Sequence, residues 1–207
     1  MTTTRQSDHP IHPQFVQRWS PRAFTGEPIT QDTLFTVLEA ARWAPSAFNA
    51  QPWRFVWVLR DTKAWPSIFD CLAPANQVWV QRASALVAIV SRTDAIFPGK
   101  DAPSPNRWHS FDSGAAWANL ALQASLMDLA AHAMAGFDAD RLRSAISVPD
   151  GHVVEAVVAI GKAGDKGVLP EALQARETPN GRLPLNQLAS MGRFYIPIKS
   201  EPPKEKS

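Results

Sequence analysis

Cysteine is almost missing from this chain of 207 residues: Cys71 stands alone, so no disulfide can close within it and a cysteine-based metal centre has no ligand set. A single thiol fits a reducing compartment, and a cytoplasmic setting is the expectation. The opening MTTTRQSDHP lacks the apolar core of a secretory signal. Charge of one sign is not concentrated anywhere. The formal net charge is +2 and the basic residues are scattered, which excludes the electrostatic footprint of a nucleic-acid binder. Long hydrophobic runs are absent too. The most apolar stretch, 113–131, is mostly alanine interrupted by Asn119, Gln123 and Asp128, and it reads as a buried helix rather than a membrane span. Common catalytic signatures also fail to appear. GKAGDKG, 161–167, has no Gly-Lys-Ser/Thr, and Pro170 discourages the helix that would hold a phosphate. There is no G-x-S-x-G elbow. The histidines at 9, 12, 109, 132 and 152 have no ligand spacing, so no metal is expected. His132 reads as a structural histidine, and Asp138 and Asp140 as capping residues.

What the chain does have is shape. Hydrophobic residues make up 45% and charged ones 19%, the balance of a globular protein, and eight Trp with ten Phe supply flat surfaces for a core, an interface or a ring-shaped ligand. Thr30 offers an N-cap for a helix over 32–43 whose inward face is Leu34, Val37, Leu38 and Ala41, and Pro45 stops it. WRFVWVLR, 53–60, reads as a strand. Residues 64–82 read as two short helices divided at Pro74, and SALVAIVSR, 84–92, as a central strand. The proline-punctuated 95–108 is a surface excursion and a candidate lid. The longest helix runs from Ser110 or Asp112 to Ala131. Its Gly114, Ala115, Ala118, Ala121 and Ala124 permit close approach of another backbone. A short strand over 132–137, a helix from Asp138 to Ser144 and a strand over 152–161 follow. Residues 1–12 form a loose arm, 13–195 one α+β domain, and 196–207 a charged tail. The polar, proline-rich segment after Gly161 cannot form a core of its own, and a second subunit is a natural place for it to lie.

Three segments could carry chemistry. In RWSPRAF, Arg18, Ser20 and Arg22 alternate, and in extended backbone residues two apart point the same way. Two guanidiniums and a hydroxyl would then suit a phosphate dianion. A solvated basic turn paired with surface carboxylates explains the same residues. In APSAFNAQPW, 44–53, helix termination and core packing explain the prolines and aromatics. They leave Ser46, Asn49 and Gln51 unexplained, which suit the polar edge of a heteroaromatic ring. TPNGRLPL, 178–185, presents Arg182 in a turn.

Taken in this order the segments resemble the FMN-dependent nitroreductase superfamily, over roughly residues 15–190. The matching positions are Arg18, Ser20, Arg22 and Phe24, then Ala44-Pro45-Ser46 with Asn49, Gln51, Pro52 and Trp53. Asn76 precedes the second core strand, Ala135-Gly136-Phe137-Asp138 follows the long helix, and Arg182 precedes Leu183-Pro184. The resemblance implies an α+β fold with a central mixed, mainly antiparallel sheet flanked by helices, and an extended C-terminal arm reaching a partner subunit. It implies a homodimer with one FMN at each end of the interface. Arg18, Ser20, Arg22 and Arg182 would hold the phosphate, with Trp19 offering its backbone. Pro45, Ser46 and Ala47 would come from the partner to lie against the isoalloxazine, with Asn49 nearby. Asn76 would reach the pyrimidine edge, and the backbone of Ala135 and Gly136 would face N5. No protein residue need act as acid or base, because flavin N5 carries the chemistry.

Three positions depart from the pattern. Trp19 stands where a basic residue is usual, Ala135 where some relatives have Glu, and Trp79 about where some have a Lys near flavin O2. The implied activity is ping-pong reduction of nitroaromatics, quinones or related conjugated acceptors by NAD(P)H. A flavin carrier or sensor would use the same motifs. A dehalogenating or flavin-fragmenting enzyme would call for an inserted lid, for which 95–108 is the candidate, and an interaction protein that has lost its cofactor would stay colourless.

Overall fold

The structure, a computed structural model, describes residues 5–194. Its helices are α1 (Pro13–Gln17), α2 (Gln31–Arg42), α3 (Pro66–Phe69), α4 (Pro74–Val80), α5 (His109–Leu126), α6 (Ala139–Ala145) and α7 (Glu171–Gln174). The strands are β1 (Trp53–Leu59), β2 (Ala85–Arg92), β3 (Asp94–Ala95), β4 (Ser104–Pro105), β5 (Ala130–Met134) and β6 (His152–Gly161).

Period-two alternation in β2 and β6 explains the layering. Ala85, Val87 and Ile89 with Val158 and Ile160 face one side, packing against Leu34, Val37 and Ala41 of α2 and Ala116, Leu120 and Ala124 of α5. Leu86 and Ala88 with Val157 and Ala159 face the other, against Ile68, Trp79, Val80 and Leu142 from α3, α4 and α6. Helices on both faces make β2 a continuous apolar run, as a doubly covered strand must be. The sheet order is β1-β2-β6-β5, with every pairing antiparallel among the described residues. This is the expected α+β architecture, with no parallel pair in the described part of the sheet. The C-terminal tail, 196–207, lies outside the described residues.

Local chemistry sets the boundaries. The Thr30 hydroxyl accepts from the Thr33 N–H and starts α2; Asp138 caps α6 through the Arg141 N–H. The long helix ends at Leu126, five residues before the sequence expectation, because Asp128 turns left-handed at φ 56°. That turn lets the chain enter β5 at Ala130, two residues earlier than expected and ending at Met134. His132 is therefore mid-strand. Gly164 is fixed by close approach: its N–H donates to the Ala23 carbonyl, and a Cβ there would stand 2.9 Å from the Phe24 backbone.

Candidate functional site

Two clusters gather at the β5 edge. In the first, Arg18 follows α1, and its Nη1 donates to Ser20 Oγ at 3.2 Å. Arg5, from the N-terminal arm, donates through Nη2 to the carbonyls of Gln17 (3.1 Å) and Arg18 (3.0 Å). Burial, with Arg182 and Arg5 nearby, holds the Arg18 guanidinium below its ordinary value; burial and Arg182 do the same to Arg5. Three guanidiniums thus feel one another, two from the amino-terminal segment and one from the far end of the chain.

Beside them, Trp19, Ser20 and Arg22 share a cavity of about 460 Å³ with His132, Arg176, Thr178 and Asn180. Arg176 closes the turn after α7, and Thr178 and Asn180 follow it at the two-residue spacing seen in Arg18, Ser20 and Arg22. The joint between the two segments is Glu177, whose side chain is only 3% exposed. Its Oε1 accepts from the backbone N–H groups of Arg22 (2.6 Å) and Ala23 (2.8 Å). Its Oε2 is buried without a hydrogen bond, 3.8 Å from Arg22 Nη1. Arg22 thus has a fixed counter-charge. The Pro21 carbonyl can only accept, so His132 Nδ1 carries the proton it donates there at 3.0 Å. Burial holds this imidazole below its ordinary value, and Arg22 pushes the same way.

Asn76 and Gly136 also meet. Asn76 Nδ2 donates to the Gly136 carbonyl at 2.9 Å, and the Ala73 N–H donates to it as well. A Cβ at Gly136 would lie 2.7 Å from Asn76 Nδ2, so any larger residue would push the amide off the Gly136 carbonyl. Ala135 and Gly136 are exposed. Trp79 is buried in the core, stacked on Phe24 at 6.2 Å and tilted against His132 at 4.8 Å, so its indole is a packing surface.

The remaining predicted residues, Pro45, Ser46, Ala47 and Asn49, sit elsewhere. Phe48, Asn49 and Gln51 all have positive φ (52°, 53° and 45°), so the loop is a tight, uncommon shape. It is held from within. Ser46 Oγ accepts from the Gln51 N–H, Gln51 Nε2 donates to the Asn49 carbonyl, and the Ala47 N–H donates to the buried carboxylate of Asp112 at 3.1 Å. Much of the polarity the sequence offered to a ligand is thus used to close the loop, while Asn49 stays exposed. The 95–108 excursion is a small β3–β4 ribbon, and its Phe97 meets Phe48 edge to face at 5.4 Å.

The loop feeds β1, and β1 and β5 are opposite edges of the sheet. Trp53 aligns through Ser91 with Val153, whereas His132 lies opposite Ala159. Three strand spacings and six residues along β6 separate them, roughly 14 Å across and 20 Å along. One chain therefore carries the two halves of the predicted site at opposite edges of its sheet. Sequence reasoning missed Glu177, Arg176, Arg5 and the position of His132. The alternation of 176, 178, 180 and 182 was a usable signal for Arg176; nothing in QARETP distinguishes Glu177 from a surface carboxylate.

Among the described residues there is no group of three or more His, Cys, Asp or Glu that could hold a metal ion, and no helix long and apolar enough to cross a membrane.

The model of a family described as "Nitroreductase family" matches residues 15–162. A solved structure described as "The crystal structure of the oxidoreductase containing FMN" superposes with a TM-score of 0.90 at 46% identity, over 95% of this chain and 99% of that one. A 15.4 kDa protein of Mycolicibacterium smegmatis is 44% identical over 93 residues, which is 44% of this chain and 63% of that protein's length. A protein of Rhodopseudomonas palustris (strain TIE-1), named as a putative NADH dehydrogenase/NAD(P)H nitroreductase, is 32% identical over 146 residues, 67% of this chain and 73% of its own.

Proposed function

We propose, from the premise that this chain belongs to the nitroreductase family, that it is an NAD(P)H-dependent FMN oxidoreductase working as a homodimer with shared sites. The observation that carries this reading is the split site: Pro45–Ala47 lead into β1 and Gly136 follows β5, opposite edges of one sheet about three strand spacings (roughly 14 Å) apart, whereas packing contact needs about 4 Å. A second copy supplies the missing wall. An exposed apolar stripe on α5 supports this, with Phe111 77% and Leu126 61% exposed and open space where a Cβ of Gly114 would stand. Exposed Leu183, Leu185 and Leu188 after Arg182 suit an arm laid on that partner.

FMN, which the 46% identical structure is described as containing, fits the residues present. Arg18, Ser20, Arg22 and Arg182 would hold the phosphate with Trp19's backbone beside them, Asn76 the pyrimidine edge, and the exposed Ala135–Gly136 backbone the ring's reactive centre. Pro45, Ser46, Ala47 and Asn49 would come from the partner. Bound there, FMN would supply two-electron redox chemistry. The protein's part is to bind, orient and exclude water. NAD(P)H and the acceptor, a nitroaromatic, quinone or similar conjugated compound, would occupy one cavity in turn, a ping-pong pattern. No His or carboxylate is assigned a proton transfer.

Complementation tests the shared site. A chain with Arg18 and Arg182 changed to Gln and a chain with Pro45–Ala47 replaced by glycines should each bind little flavin as homodimers. Mixed dimers should regain one intact site, read by flavin absorbance and by NADH or NADPH oxidation with menadione. No recovery in verified mixed dimers refutes sharing. Tight flavin binding without turnover favours a carrier.

A further inference from the structure

The N-terminal arm holds a guanidinium against the cation pair expected to grip the phosphate. Arg5 is 13 residues before Arg18, yet its Nη2 reaches the carbonyls of both Gln17 and Arg18, at the end of α1. Two bonds in a planar fork fix where the charge sits. Arg5 and Arg182 also line one cavity of about 530 Å³, closed by Ile11, Phe15 and Leu183. Asp8 is the carboxylate in that lining, and its Oδ2 accepts the Leu185 N–H at 2.6 Å. Arg22 lies 3.8 Å from buried Glu177. Arg5 and Arg18 are half-buried and Arg182 is exposed, and a doubly charged oxyanion set among three guanidiniums would accept charge-assisted bonds from each.

From this convergence, and resting on the flavin reading above, we infer that Arg5 is a binding residue for the phosphate monoester of the cofactor, so that the N-terminal arm selects the phosphorylated flavin over riboflavin. Arg5 thereby joins Arg18 and Arg182 in the charge set, with Arg22 contributing from the neighbouring cavity. The lowered values of Arg5 and Arg18 agree with this grouping.

The test uses the full chain stripped of flavin and titrated with FMN and with riboflavin by fluorescence, comparing the parent, R5Q, R5K and R18Q. Losing one charge-assisted contact should weaken FMN binding by roughly 10- to 150-fold in R5Q, with riboflavin affinity unchanged. R5K should fall between R5Q and the parent, because an ammonium keeps charge without the fork. The salt dependence of FMN binding should be shallower in R5Q. Parent-like FMN affinity in R5Q beside a large loss in R18Q overturns the inference alone, as does equal weakening of both flavins, which would mark Arg5 as a brace for α1. A parent that binds neither flavin overturns the flavin reading and this inference with it.

Discussion

Removing Glu177 tests how the two cation-bearing segments are joined. In E177A, the buried N–H groups of Arg22 and Ala23 lose the oxygen they share at 2.6 and 2.8 Å. A buried donor left without an acceptor costs about 1–3 kcal/mol, so the pair costs about 2–6 kcal/mol. Some of this is offset, because Oε2 is buried without a hydrogen bond and its desolvation penalty disappears with it. A net loss of about 2–4 kcal/mol follows. In a chain of 207 residues each kcal/mol moves the melting temperature by roughly 2–4 °C, so E177A should melt roughly 4–16 °C lower. E177Q keeps a neutral oxygen for both N–H groups and gives up the charge, at about 1 kcal/mol, roughly 2–4 °C. Urea and thermal unfolding followed by circular dichroism, both in flavin-free protein, give the comparison. An E177A that melts with the parent refutes the joint. Equal losses in E177A and E177Q would mean that charge, and not the paired N–H bonds, holds the segments together.

Two further expectations follow from geometry. G136A places a methyl 2.7 Å from Asn76 Nδ2, the tip of a movable side chain; the amide should swing away from the Gly136 carbonyl. Stability should fall by about 0.5–1.5 kcal/mol, one hydrogen bond, while flavin titration shows a clear loss of affinity; unchanged affinity would remove Asn76 from the site. For His132, burial keeps the folded-state value below the ordinary 6.5. As pH falls below about 6.5 the unfolded chain takes up a proton that the folded chain refuses, so stability declines as pH drops toward the folded value. H132Q should flatten that decline in urea midpoints from pH 7.5 to 5, and identical slopes would refute the assignment.

The elements were legible because their signals are local. Thr30 and Asp138 announce their helices by capping, Pro74 divides two short ones, and the apolar run of β2 reports burial on both faces. The long helix was overextended because alanines 130 and 131 suit either state; the left-handed turn at Asp128 decided the matter, and aspartate tolerates it without advertising it. In the proposed site, Arg18, Ser20, Asn76, Gly136 and Arg182 are readable as parts of motifs. Their grouping is not. Glu177 meets Arg22 across 155 residues, and Arg5 meets Arg182 from opposite ends of the chain. Such encounters depend on how whole layers stack, which no short stretch encodes.

The loop from Pro45 to Pro52 holds its unusual backbone shape through contacts within its own chain, to Asp112 and between its own Ser46 and Gln51. A surface shaped before association has little left to order on meeting its counterpart. Formation of the proposed homodimer should then behave as rigid docking: second-order in protein, near the ordinary rate for matched patches, and without a slow refolding phase.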